Sequence, residues 1–192
     1  MTTIGAAAFE DDKTLTSLTL PEGITTVMPY AFGYCLQLTS VTLPATLVKI
    51  GELSFYGCRS LTELNIAEDT ELIDMGAFGA CQLLSSLTLP TTLKQIGVMA
   101  FVLCDNLESV VIPEGVTAIG ASAFAHSMHL SAVSLPASLT SIGENAFSAP
   151  DYLADVTATD IGRITFTVHK DSWAAAWCEE NAREFVLYDG EE

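Results

Sequence analysis

The chain has 192 residues, enough for one domain, and 49% of them are apolar, so a sizeable core is available. It carries 24 acidic residues against 7 basic ones, a formal charge of −17, with the basic residues scattered singly. That balance argues against binding to nucleic acid or anionic membrane, which needs clustered Lys and Arg, and no apolar run, Val98–Leu103 included, is long enough to insert through a bilayer.

The first predicted unit opens at Ile4. An aliphatic residue followed five later by Phe occurs at Ile4/Phe9, Val27/Phe32, Ile50/Phe55, Ile73/Phe78, Ile96/Phe101, Ile119/Phe124 and Ile142/Phe147. Each step is 23 residues, without insertion or deletion. Ala or Ser precedes every one of these phenylalanines. Leu follows six residues later (15, 38, 61, 84, 107, 130 and 153), and Leu18, Val41, Leu64, Leu87, Val110, Val133 and Val156 follow nine later. One such repeat cannot bury its own inner face, so the coils must stack. The reading is a solenoid over residues 1–158, with repeats starting at 4, 27, 50, 73, 96, 119 and 142.

Within the first coil, Leu15, Leu18 and Leu20 follow an L-x-x-L-x-L strand pattern, and alternation sends Ser17 and Thr19 outward. Proline ends the strand at 21, 44, 90, 113 and 136. A second short extended piece follows, Ile24–Val27 in the first coil and Leu139–Ile142 in the last complete one. The Ile-Gly-x-x-Ala-Phe segment is expected to be a tight turn or one helical turn, with glycine lending backbone freedom. No polar cap precedes Ile4, so the first coil should expose the edges of Ile4, Phe9, Leu15, Leu18 and Ile24, blunted by Glu10, Asp11 and Asp12. The third coil departs from the pattern: Ala67-Glu-Asp-Thr70 stands where others read Pro-x-x-Leu, and Asp69 and Glu71 should point outward.

After Phe147 the repeat fades, with Gly162 in place of Leu and Thr165 in place of Ile. Ile164–Val168 alternates like a strand. Asp171 is the predicted N-cap of a helix carrying Trp173 and Trp177 on one face as a capping wedge, and Phe185–Tyr188 reads as a last strand. Residues 159–192 thus form the expected strand–helix–strand cap.

The string L-T-x-[LV]-x-[LI]-P-x-x-[LV]-T-x-I-G-x-x-A-F-x-x-C, with Ser131–Phe147 as a near-consensus copy, resembles the BspA-like leucine-rich repeats. The resemblance covers residues 4 to about 158. It implies an α/β-type leucine-rich repeat solenoid, mostly short parallel β-strands with turns or short helices. Members are typically secreted or surface proteins of anaerobic bacteria and some protists, several of them adhesins. The implied role is a non-enzymatic protein- or glycan-interaction module at the cell surface, with no binding residue carried over by position. No basic stretch followed by an apolar run opens the chain, so a cytoplasmic location is expected if this is the complete reading frame. The alternative function is a cytoplasmic structural or scaffold protein that forms a homodimer through its uncapped first coil.

The cysteines are the first candidates for chemistry. Cys35, Cys58, Cys81 and Cys104 each follow a Phe by three residues and should form one column along the stack. Asp12, Ser127 and Pro150 hold the same position in other coils, which favours small buried packing with the thiols reduced. Cys35–Cys58 and Cys81–Cys104 disulfides stay open as the alternative, and zinc binding would want close cysteine pairs that the coils lack. His126 and His129 have no evident third ligand and read as surface histidines. No nucleophile, phosphate-loop or metalloprotease motif occurs, so no catalytic residue, metal or cofactor is expected. Two surfaces remain as binding candidates. One is the outer strand face, represented by Ser40, Thr42, Glu63, Asn65, Ser86 and Thr88. The other is a possible apolar patch on the turn side, with Tyr34, Tyr56, Val102 and Leu103.

Overall fold

The computed structural model describes residues 2–148 and 164–188. Seven two-residue strands pair in parallel in chain order into one sheet: β1 (Thr3–Ile4), β3 (Thr26–Val27), β5 (Lys49–Ile50), β7 (Leu72–Ile73), β9 (Gln95–Ile96), β11 (Ala118–Ile119) and β13 (Ser141–Ile142). The register advances by 23 residues at every step, as at Thr3↔Thr26 and Ala118↔Ser141. The described residues therefore form a parallel β-solenoid of seven turns. The aliphatic residue that opens each repeat is the inward member of its strand, and Val27, Ile50, Ile73, Ile96 and Ile119 are all buried.

On the turn side the phenylalanines form a single stack. From Phe9 to Phe147, successive rings lie 5.1–5.6 Å apart and within 14° of parallel. Around this stack the backbone repeats an unusual ladder. The N–H groups of Ala7, Phe9 and Asp11 donate to Pro29, Ala31 and Gly33, and the same three bonds recur at each junction down to Ser122, Phe124 and His126 donating to Glu144, Ala146 and Ser148. All run one way, toward the C-terminal neighbour. The geometry uses left-handed backbone at non-glycine residues, for example Ala7, Tyr30, Leu53, Met99, Ser122 and Asn145. Glycine in Ile-Gly-x-x-Ala-Phe serves another purpose than the expected backbone freedom. A Cβ at Gly120 would lie 2.4 Å from the Val98 nitrogen, so this glycine is set by close approach of the preceding coil.

The leucine-bearing strands do not form one continuous ladder. β2 (Ser17–Thr19) pairs with β4 (Ser40–Thr42), and β6 (Glu63–Asn65) pairs with β8 (Ser86–Thr88). β10 (Ser109–Val111) and β12 (Ala132–Leu135) join a separate four-stranded ladder. The coils are thus tied in doublets on this side, and side chains tie the same doublets. Glu22 accepts from the Ala45 N–H, Glu68 from Thr91, and Glu114 from Ala137 and Ser138. Thr46, Thr92 and Ser138 hydroxyls donate back to Ile24, Thr70 and Val116 carbonyls. A glutamate staple sits in alternate coils only, so alternate junctions are tied this way. In the irregular third coil Thr70 takes the buried leucine position, and its hydroxyl donates to the Leu47 carbonyl at 2.9 Å. Asp69 and Glu71 are exposed, as expected.

At the C-terminal end, β14 (Thr165–His169) adds in parallel to β12, and β15 (Phe185–Tyr188) adds in parallel to β14, with helix α1 (Trp173–Glu180) between them. Ser172, not Asp171, caps the helix, its hydroxyl accepting from the Ala175 N–H. Asp171 instead adopts a left-handed conformation, with φ at 58°. The wedge is also narrower than expected. Trp177 packs edge-on against Phe147 and Phe166, whereas Trp173 is exposed because Ala174, Ala175 and Cys178 form the buried helix face. Leu153, Val156, Pro150, Gly162 and the expected boundary at 158/159 lie outside the described residues.

In the first coil Phe9 is exposed, and Ile4, Leu15 and Leu18 are half-buried. Ile24 is buried, contrary to expectation, because it belongs to the same core as Leu20 and Leu47. Part of the acidic edge is engaged locally: Asp12 accepts from Thr14 and Leu15, and Asp11 pairs with Lys13.

Candidate binding surfaces

The strand-face candidates are all exposed. Ser40 and Thr42 lie on the first doublet, in register with Ser17 and Thr19; Glu63 and Asn65 face Ser86 and Thr88 on the second. Because the ladders are separate, this face is a series of polar platforms and not the single sheet that the stacking argument anticipated.

The turn-side candidates do not form one apolar patch. Tyr34 is 42% exposed and meets Tyr56 edge-on at 5.6 Å, but Tyr56 is half-buried. Val102 is buried, at 8% exposure, and Leu103 is half-buried. The reason lies at Gly79, where an added Cβ would meet the Tyr56 ring at 2.8 Å and Val102 Cγ1 at 3.0 Å. Tyr56 and Val102 fill the space above that glycine from both sides, so Val102 is a packing residue.

The cysteine column is buried, and all five thiols are free. Each of the four in-frame cysteines reaches the carbonyl of the preceding coil's phenylalanine: Cys35 to Phe9 at 3.1 Å, Cys58 to Phe32 at 3.3 Å, Cys81 to Phe55 and Cys104 to Phe78 at 3.5 Å. Ser127 makes the same bond to Phe101. The position thus takes a small donor, which adds a hydrogen bond to the size requirement. Burial drives the Cys58 and Cys104 thiols up to about 12 and raises Cys81 as well, so none is a ready thiolate. His129 Nδ1 lies 2.6 Å from the Asp105 carbonyl, and His126 Nδ1 is buried without a hydrogen-bond partner among the described residues. Burial raises the Asp105 carboxyl, against a downward pull from both histidines. Among the described residues no three His, Cys, Asp or Glu side chains converge on a metal geometry.

One concavity escaped the sequence reading. It lies where the solenoid meets its cap, on the outer face of β10, β12, β14 and β15. Its volume is about 380 Å³, and its lining includes Val111, Pro113, Glu114, Ser134, Pro136, Thr167, His169 and Tyr188. Register explains it. Pro113 and Pro136 belong to the proline column, and the cap continues that column with His169 and Tyr188, whose longer side chains raise a wall at the end of a flat face. His169 Nε2 meets Glu114 Oε1 at 3.0 Å, and the His169 and Tyr188 rings pack at 84° with centroids 5.1 Å apart. The available signal was the register of Thr165–His169 against Ala132–Leu135, which periodicity alone does not supply once the repeat has faded.

A family model described as BspA type leucine rich repeat region matches the chain in six copies, over residues 2–131 and 73–168. No curated protein matches. Among solved structures, a leucine-rich repeat protein from Bacteroides ovatus shares 22% identity over 98% of this chain and 58% of its own, with a TM-score of 0.55. A leucine-rich repeat protein of T. pallidum shares 23% over 80% of this chain and 73% of its own, with a TM-score of 0.50. A leucine-rich cell surface protein from Faecalibacterium prausnitzii shares 20% over 93% and 65%, with a TM-score of 0.47. The chain therefore spans less than two thirds of the length of the Bacteroides and Faecalibacterium proteins. At these identities the likeness is one of fold.

Proposed function

We propose, from the premise that the chain belongs to the BspA-type leucine-rich repeat family, that it is a non-enzymatic interaction module of a bacterial surface or secreted protein. The observation that carries this is the outward strand face. Ser40, Thr42, Glu63, Asn65, Ser86 and Thr88 all stand exposed on rigid, hydrogen-bonded strands. Short polar side chains on such strands lose little conformational entropy on contact, so many shallow contacts sum along a repeat array. The acidic balance favours neutral or basic protein and glycan partners over anionic ones. The test is an array of purified proteins and glycans probed with the full chain and with a Thr42→Arg/Asn65→Arg/Thr88→Arg variant. Binding lost in the variant supports the strand face, and binding retained at full strength refutes it.

Self-association through the first coil is a second reading, favoured by one observation: Phe9 stacks on Phe32 with one face and is 44% exposed. The one-way ladder constrains its geometry. The carbonyls of Ala6, Ala8 and Glu10, the acceptor positions of that ladder, have no N–H partner among the described residues. A two-fold pair across this turn edge would set carbonyl against carbonyl and acid against acid, so a heterologous contact with a different surface of the second copy is the favoured form.

A further inference from the structure

We infer that the trough at the solenoid–cap junction is a subsite for one neutral pyranose ring, stacked against Tyr188 and hydrogen-bonded by Glu114 and His169. The inference rests on the interaction reading only in treating this side of the molecule as a binding side. Its own support is local.

Size comes first. A volume of about 380 Å³ falls at the small end of the roughly 300–1,000 Å³ typical of small-molecule sites. That suits a single ring better than a side-chain cluster. The floor and one wall are apolar, from Val111, Pro113 and Pro136, and Val111 is 68% exposed where the equivalent residues of the earlier coils are Thr19, Thr42, Asn65 and Thr88. An exposed valine in a polar column supplies an apolar contact that a solvated face has no use for. Tyr188 adds an amphipathic ring, 42% exposed and held in orientation by the perpendicular His169 ring.

The polar groups are fixed as well. Glu114 is held by the Ala137 and Ser138 N–H groups and by His169, so its carboxylate is immobilised before any ligand arrives. A carboxylate held by an imidazole and two amides offers its remaining lone pairs to hydroxyl donors. Ser134 and Thr167 line the same trough. An apolar floor, one aromatic ring and a rim of hydroxyl, carboxylate and imidazole match a ring with one C–H face and hydroxyls around its edge. Anionic sugars are disfavoured by Glu114 and by the net charge of −17. A peptide strand is disfavoured over the middle of the trough, where β12 and β14 are paired on both sides; it would have to add at the outer edge of β10 or β15 instead.

The test is saturation-transfer NMR on the full chain with D-glucose, D-galactose, D-mannose, N-acetyl-D-glucosamine and D-glucuronic acid. Transfer to ring C–H protons of at least one neutral sugar and none to glucuronic acid is expected. Tyr188→Ala should weaken that binding by about tenfold, and Tyr188→Phe should keep it within about threefold. Glu114→Gln, with circular dichroism to establish that the solenoid is intact, should weaken it as well. The Thr42→Arg/Asn65→Arg/Thr88→Arg variant should bind the sugar normally, which separates this subsite from the strand face. The inference is overturned by absence of transfer from every neutral sugar, by transfer unchanged in Tyr188→Ala, or by loss in the strand-face variant alone. It is equally overturned if an acetylated Thr-Val-Thr-Val peptide, and no sugar, perturbs the Tyr188 resonances.

Discussion

The two ends of the phenylalanine stack are finished differently. At the C-terminal end, Phe147 meets Phe166 at 77° and Trp177 at 62°, so two rings turned edge-on seal the last face of the column. At the N-terminal end, Phe9 lies parallel to Phe32, and the residue is 44% exposed. A parallel stack propagates: each ring leaves the next one the same surface to cover. A perpendicular pair terminates it, because the edge-on ring does not present a further parallel face. The C-terminal segment therefore closes the stack by changing geometry, whereas Phe9 keeps the parallel geometry and stays exposed, with Asp11 and Asp12 engaged only locally.

The largest expected effect follows directly. Phe166→Ala, at a fully buried site, should cost about 3–5 kcal/mol. Phe9→Ala, with much of its ring already in water, should cost only about 1 kcal/mol, since less apolar area is lost. Equilibrium denaturation in urea checks both. Equal costs at the two ends would break the comparison, because the open face of Phe9 would then be doing the same work as the sealed one.

The next effect is one of pH. Burial raises the thiols of Cys58 and Cys104 to about 12 and of Cys178 to about 11, against an ordinary value of 9.0. A raised folded-state value favours the protonated form. The stability this linkage provides is therefore complete below pH 9 and is lost as pH rises through 11 and 12. Thermal unfolding should show a melting temperature that falls steeply above pH 9. At pH 9 in the folded protein, alkylation of Cys58 and Cys104 should be slower than in unfolded chain by about five-hundredfold on thiolate fraction alone. The Cys35 thiol is likewise raised by burial, and because it lies one coil from the open end it should be modified before Cys58 and Cys104 if that end loosens first. Mass spectrometry of partly alkylated protein gives the order. Modification of Cys104 before Cys35 would mean that the open end does not loosen first.

The seven-coil architecture was readable because every buried column repeats at 23 residues, and the residues that carry the period are those whose burial the fold demands. Three features needed more. The doublets follow a 46-residue alternation, Pro21-Glu-Gly-Ile24 and Pro113-Glu-Gly-Val116 against Pro44-Ala-Thr-Leu47 and Pro136-Ala-Ser-Leu139, which lies inside the 23-residue signal and is easily averaged away. Val102 looked like a surface residue because its burial depends on Gly79 in the preceding coil, a through-space relation with no local mark. The trough needs the register of β14 on β12, set where the repeat has already faded. Sequence periodicity reports what is shared between coils. Binding surfaces are built from what differs.

A smaller effect probes the closed end from outside the ring cluster. Ser172→Ala removes the helix N-cap bond to Ala175 and should cost about 1 kcal/mol. Because α1 places Trp177 against Phe147 and Phe166, that loss should appear as faster amide exchange in β14 and β15 with little change at β1. Uniform exchange along the whole array would show instead that the cap and the open end unfold as one unit.

The smallest effect has the opposite sign and lies between the two ends. Ser54 stands in the column otherwise occupied by Ala8, Ala31, Ala77, Ala100, Ala123 and Ala146, fully buried, with a hydroxyl that has no hydrogen-bond partner among the described residues. An unpaired buried hydroxyl carries a desolvation cost, and alanine fits the same space without one. Ser54→Ala should therefore stabilise the protein by up to about 1 kcal/mol, read as a higher urea midpoint with an unchanged slope. The change lies within the Phe32–Phe55–Phe78 part of the stack and far from either end. It should raise protection in the central coils and leave the difference between Phe9→Ala and Phe166→Ala intact. If that difference shrank on the Ser54→Ala background, coupling would run through the whole column, and the two ends would no longer be independent ways of finishing it.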